Sequence, residues 1–276
     1  MPITRMPYPS AEPVYRAASR WRERCLGQDL SFFGDRSGST LADAETLIRD
    51  FVQQPDLGKD DFLTKLRGQI SHCPTSAVQL AAELLYVHLL IARADVVSGP
   101  RKRQIVQEVL DFTPGTAPLP DDLSGALDAG LVRPGQAFNS GRWRQFGYLI
   151  EVFAAARRLP DPKRRRVAQD PRGLVDLLDT VDGQGALIQR HALEHLLFPD
   201  VFPPVVSREH RSLILAAWPQ LAGEADVAEP FQLARVSDGL PPNTAWVDEA
   251  SSASTAARTY GSGTSPTPGG RAGPLG

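Results

Sequence analysis

Sulfur is scarce in this chain: 276 residues contain two cysteines, Cys25 and Cys73, and two methionines. Two cysteines are too few for a disulfide framework and too sparse for a Cys-based metal site, so a reducing cytoplasm is the expected location. Excess charge is also missing. Thirty basic side chains meet 32 acidic ones for a net of −2, which implies no global polyelectrolyte partner and leaves nucleic-acid contact to a local patch. No G-x-x-x-x-G-K-[ST] run occurs, which excludes a P-loop nucleotide site on its defining residues. Gly183 and Gly185 lack the preceding strand and third glycine of a dinucleotide site. There is no G-x-S-x-G elbow, and no pair of carboxylates stands where their pKa values would be driven apart. The opening MPITRMPYPSAEP has no apolar core, so an export signal is not expected. Strand-like alternation is rare and no internal repeat is visible.

What remains is helical spacing. The chain is 42% apolar, enough for a real core, and the pattern predicts an all-α fold of about nine to eleven helices. Residues 1–12 read as a flexible N-terminus and 13–240 as a helical domain. A sub-boundary is expected near 112–122, where TPGTAPLPDD forms a proline-rich connector. Residues 241–276 end in SSASTAARTYGSGTSPTPGGRAGPLG, too poor in apolar groups to pack, and are expected to be a disordered tail. From Val14 to Leu26 the residues Tyr15, Ala18, Trp21 and Cys25 share a helix side, and Phe32 and Phe33 should anchor the loop that follows. Thr75 to Ala92 is apolar around nearly its whole circumference and should be the buried central helix. Its length is close to a membrane span, but Gln79, Glu83 and His88 would then lie in hydrocarbon, so no membrane association is expected. Inside a protein core, Glu83 and His88 need partners.

The densest pattern lies in residues 184–218, a helix, a corner marked by Pro199, Pro203 and Pro204, and a second helix capped by Ser207 and ended by Pro219. It contains His191-Ala-Leu-Glu194-His195, the H-x-x-E-H order of inverted zinc peptidases. Histidines at i and i+4 share a face and could bind zinc with Glu194 as general base. The third ligand would have to be Glu224, Glu229 or Glu249. The competing reading, which we prefer, is that His191, His195, Ser207 and His210 form a structural polar cluster at a helix–helix contact. On that reading the chain needs no cofactor and is not an enzyme.

One region is locally basic. Between Arg142 and Arg172 nine basic residues face three acidic ones, and Lys163, Arg164, Arg165 and Arg166 are the candidates for phosphate contact. Four consecutive residues spread around a helix, so only about half of them can share one surface.

Several segments resemble a known family in order along the chain. Phe62 to Gln69 fits F-x-x-K-L-x-x-Q, and Leu80 to Tyr86 fits L-x-A-E-L-L-Y. Ala126 to Asn139 fits A-L-x-x-G-x-x-x-P-G-x-A-F-N, and RHALEHLLFPDVF followed by VVSREHR completes the series. Together these resemble the helical region upstream of the motor in McrBC-type AAA+ proteins, the motor subunits of modified-cytosine-dependent restriction systems. The resemblance covers roughly residues 59 to 222. It implies a non-catalytic accessory or remnant module of a defence system, acting through protein or DNA contacts, with a separate AAA+ motor or nuclease subunit as partner. A pure protein-interaction scaffold is the neighbouring alternative. Two positions depart from the family pattern. Pro203 replaces an acidic residue, and Glu194 replaces an apolar one, which argues against Glu194 as a catalytic base. The chain also departs after about residue 240, where the family continues towards its motor, and a truncated relative is the expectation.

Overall fold

Several helices here begin at a side-chain oxygen that accepts a first-turn N–H, as at Thr40, Asp61, Ser98, Asp170 and Ser207. A computed structural model describes residues 11–34, 37–224 and 226–240, so the tail from 241 to 276 and most of the N-terminal segment lie outside the described residues. Among the described residues no strand forms, and the only bridges are the isolated pairs Leu30–Ser37 and Ala92–Val132.

The first helix, α1, spans Glu12–Trp21 and continues as a π-helical stretch, Arg22–Gly27. Ala11, immediately ahead of α1, is buried. α2 (Leu41–Leu47) opens on a capping box in which Thr40 and Asp43 satisfy each other's backbone N–H, and it too runs into a π-helical stretch, Ile48–Val52. α3 (Phe62–Ile70) is capped by Asp61. Then comes α4 (Thr75–Leu90), buried from Ala77 to Leu90 except at Gln79. The expected central helix is therefore present, and it packs against α1, α2, α5 (Gly99–Leu110) and α8 (Arg142–Arg158). Its buried Glu83 and His88 find uncharged partners. Glu83 accepts from Ser31 at 2.7 Å, and His88 Nδ1 pairs with Gln189 Oε1 at 2.7 Å while its ring stacks on Phe138 at 4.3 Å.

The stretch from 121 to 140 supplies two short helices, α6 (Asp121–Ser124) and α7 (Gln136–Ser140), with a 3-10 turn after the first. Gly130 lies against the end of α4: a Cβ there would sit 2.0 Å from the Ala92 carbonyl oxygen and 2.6 Å from Arg93 Cα. Gly135 has φ +80, which an L side chain rarely adopts. Lys102, fully buried, reaches over this junction and donates to the carbonyls of Ala92 and Ala129.

α9 (Asp161–Gln169), α10 (Pro171–Leu178) and α11 (Leu187–Leu197) follow, then α12 (Arg208–Ala217), α13 (Pro219–Ala222) and α14 (Glu229–Gly239). Pro219 does not simply end α12. It occupies the first position of α13, where its missing N–H has no cost. The helix count is fourteen among the described residues, above the expected range. The excess comes from α6, α7 and α13, which have four or five residues each and are too short to show a period.

One apolar cluster runs from Ala11 to Val206 and includes Phe112, Ala117 and Leu123, so packing is continuous through 112–122. A second, small cluster holds Val205, Ile214, Ala222, Leu233 and Val236. The two clusters adjoin at the 198–206 corner.

Candidate functional site

α11 carries the H-x-x-E-H residues, and it is buried on nearly every side because α1, α8 and α10 pack around it. His191, Glu194 and His195 are all buried. After Phe198 the corner folds back along the helix, which brings the carbonyls of Phe202 and Val206 over the imidazoles. His195 Nδ1 lies 2.7 Å from Phe202 O, and His191 Nδ1 lies 2.9 Å from Val206 O. A carbonyl only accepts, so both Nδ1 atoms carry the proton in the neutral ring. The other nitrogen of His195 then bears the lone pair, and the Tyr15 hydroxyl donates to it at 3.0 Å. That lone pair is the one a zinc ion would need.

Glu194 faces a guanidinium. Arg211 Nη2 lies 2.7 Å from its Oε2, and Arg190 Nε lies 3.4 Å from Oε1. Burial raises the Glu194 pKa above the ordinary carboxylate value, and the Arg211 charge opposes that rise. Both histidines move the other way. Burial lowers His191 to about 3 and His195 to about 4 from 6.5, so both stay neutral.

The proposed third ligands are placed elsewhere. Glu229 lies 3.4 Å from Arg211 Nη1, Glu224 is exposed, and Glu249 lies outside the described residues. Among those residues one set of three potential metal ligands converges, Asp50, His72 and Cys73, and it includes neither α11 histidine.

Of the expected polar cluster, His191 and His195 are held by the corner as described. Ser207 accepts from the His210 backbone N–H at 3.4 Å as the N-cap of α12, and the His210 ring stays half-exposed outside the cluster. The residue that ties the group together is Arg211, which has no place in the H-x-x-E-H pattern and was not expected in the cluster. It is 1% exposed, and its Nε donates to Val205 O at 2.7 Å while its other nitrogens meet Glu194 and Glu229. A buried acid needs a cation beside it, and Arg211 supplies that charge to Glu194.

The basic patch is smaller than expected. α9 turns Arg164 inward, where it is buried and paired with Asp161 at 2.7 Å and Asp29 at 3.1 Å. Arg166 pairs with Asp170 at 2.9 Å. Arg164 is thus removed from any phosphate surface and Arg166 is partly neutralised, because each finds an acid within about one helical turn. Lys163 and Arg165 remain exposed, with no ion pair among the described residues. Beside them is a cleft of about 370 Å³ lined by Glu23, Asp29 and Asp161 as well as Arg164 and Arg165, a mixed-charge wall that does not select polyanions.

No described helix is long and apolar enough to cross a membrane. Compared with protein-family models, curated proteins and solved structures, the chain matches none of them.

Proposed function

We propose that this chain is a non-catalytic, all-helical contact module of the kind that precedes the motor in McrBC-type AAA+ restriction proteins, and that its partner is a motor or nuclease subunit. The observation that carries the non-catalytic part is the commitment of His195 and Glu194 to internal partners. A general base needs a reachable water, and a metal ligand needs its lone pair, whereas Tyr15 and Arg211 occupy these groups in the interior. The family-like segments support the rest, because they coincide with the junctions of the fold: Gly130 against α4, Phe138 on His88, and the 198–206 corner over α11.

Protein contact is favoured over DNA by the loss of Arg164 from the basic patch. A better surface anchor is Trp143, 41% exposed at the start of α8, with the Arg144 guanidinium 4.8 Å from its ring and Arg142 beside it in sequence. Tryptophan and arginine dominate interface hot spots.

The test combines the purified chain with an AAA+ motor subunit encoded beside it and reads complex formation and nucleotide hydrolysis. Binding weakened about tenfold or more by Trp143→Ala is expected, with no change in thermal stability. A salt-sensitive shift of DNA mobility, abolished by Lys163→Ala with Arg165→Ala, would make this a DNA-binding module instead. Zinc lost specifically on His195→Ala, together with a hydrolytic activity, would overturn the non-catalytic reading.

A further inference from the structure

α3 ends at Ile70, and a tight turn closed by Cys73 N–H donating to Ile70 O at 3.0 Å carries His72 and Cys73 to the start of α4. Facing them is Asp50, set on the π-helical turn Ile48–Val52. Cys73 Sγ lies 3.3 Å from Asp50 Oδ2, His72 Nε2 lies 3.6 Å from the same oxygen, and the three donor atoms all fall within 4.8 Å of one another. Bond lengths of about 2.0 Å to oxygen or nitrogen and about 2.3 Å to sulfur give a tetrahedron around zinc with edges of roughly 3.3–3.5 Å. Two of the three edges already have nearly those lengths. The third closes by rotation of His72, whose side chain is 66% exposed and free to move.

We propose that Asp50, His72 and Cys73 form a binding site for zinc or a similar borderline-soft divalent cation, with the fourth position left to water. The donor set selects the metal. One sulfur, one imidazole nitrogen and one carboxylate suit zinc, whereas magnesium and calcium require oxygen. Charge balances too: the Cys73 thiol releases its proton to solvent as the sulfur–metal bond forms, and thiolate plus carboxylate then neutralise the dication. Arg49 competes for the same acid, with Nε 2.7 Å and Nη2 2.6 Å from the two Asp50 oxygens. Its side chain is 61% exposed, so it can swing into solvent when an ion arrives. The bound ion staples the π-helical turn after α2 to the α3–α4 turn.

The experiment is a titration of the metal-free full-length chain with cobalt(II), whose thiolate charge-transfer and four-coordinate visible bands report the ligands directly. One equivalent should bind with a charge-transfer band, and zinc should displace it. Cys73→Ser should remove the band, His72→Ala should weaken binding about tenfold or more, and Arg49→Ala should tighten it. Cys25→Ser and the pair His191→Ala and His195→Ala should leave the titration unchanged, which separates this site from the α11 histidines and from the functional reading above. No charge-transfer band, or a band that survives Cys73→Ser, would overturn the site. Should Cys73→Ser fail to fold, His72→Ala decides, since its exposed ring carries no core packing: unchanged cobalt affinity there refutes the proposal.

Discussion

His88 shows how a polar residue in a helix that is otherwise almost all apolar can be structural. Its Nδ1 has Gln189, its ring has Phe138, and burial holds its pKa at about 3, far below 6.5. In the unfolded chain the imidazole takes up a proton near pH 6.5, and in the folded chain it does not until about pH 3. Its contribution to stability is therefore complete above pH 6.5 and is lost as the pH falls towards 3. Buried acids such as Glu83 have raised values and act in the opposite sense, so the clean measurement is a difference. Urea unfolding of the protein and of His88→Gln should give a stability gap that narrows by about 2 kcal/mol between pH 6.5 and 5, from about 1.4 kcal/mol per pKa unit. A constant gap would mean that the ring titrates normally in the folded state.

The helices themselves divide into those whose ends were written in the chain and those whose ends came from neighbours. Thr40, Asp61, Ser98, Asp170 and Ser207 each accept a backbone N–H at a helix start, and residues of this type are legible as caps from the order of amino acids alone. α6, α7 and α13 were not legible, because one turn contains no period. The close approach of Gly130 to Ala92 belongs to this level. Gly130→Ala should cost roughly 3 kcal/mol, because the atom it meets is backbone and cannot move aside. Gly68, exposed within α3 with nothing near its Cβ position, is the control: Gly68→Ala should gain about 1 kcal/mol from helix propensity alone. Thermal unfolding of both variants checks the pair, and equal effects would show that the Gly130 junction is not tight.

Across the whole molecule, a small C-terminal cluster of α12, α13 and α14 meets the main core at the 198–206 corner. Arg211 spans the junction, with contacts to Glu194 on α11, Val205 on the corner and Glu229 on α14. Removing one member of a buried pair leaves the other charge uncompensated, so Arg211→Ala should cost about 3–5 kcal/mol. The double variant Glu194→Leu with Arg211→Met should recover most of it, since an apolar pair of similar volume needs no charge compensation. Hydrogen exchange should show α12–α14 losing protection first in Arg211→Ala. A loss below about 1 kcal/mol would mean that apolar contacts such as Phe202 with Phe231, 5.4 Å between ring centres, carry the junction instead.

Composition and spacing alone settled the helical class, the buried position of the 75–92 segment and the helix–corner–helix at 184–218, because apolar period and proline are local properties. They also placed His191, Glu194 and His195 on one helix. What they could not settle was the company those residues keep. Whether an imidazole meets a carbonyl or an ion, and whether a lysine or arginine faces water or an acid, depends on chain far away in sequence: Tyr15 reaches His195 across 180 residues, and Asp29 reaches Arg164 across 135. Only the packed fold brings such pairs within bonding distance. The same packing that closed the α11 histidines off also set Asp50 beside His72 and Cys73.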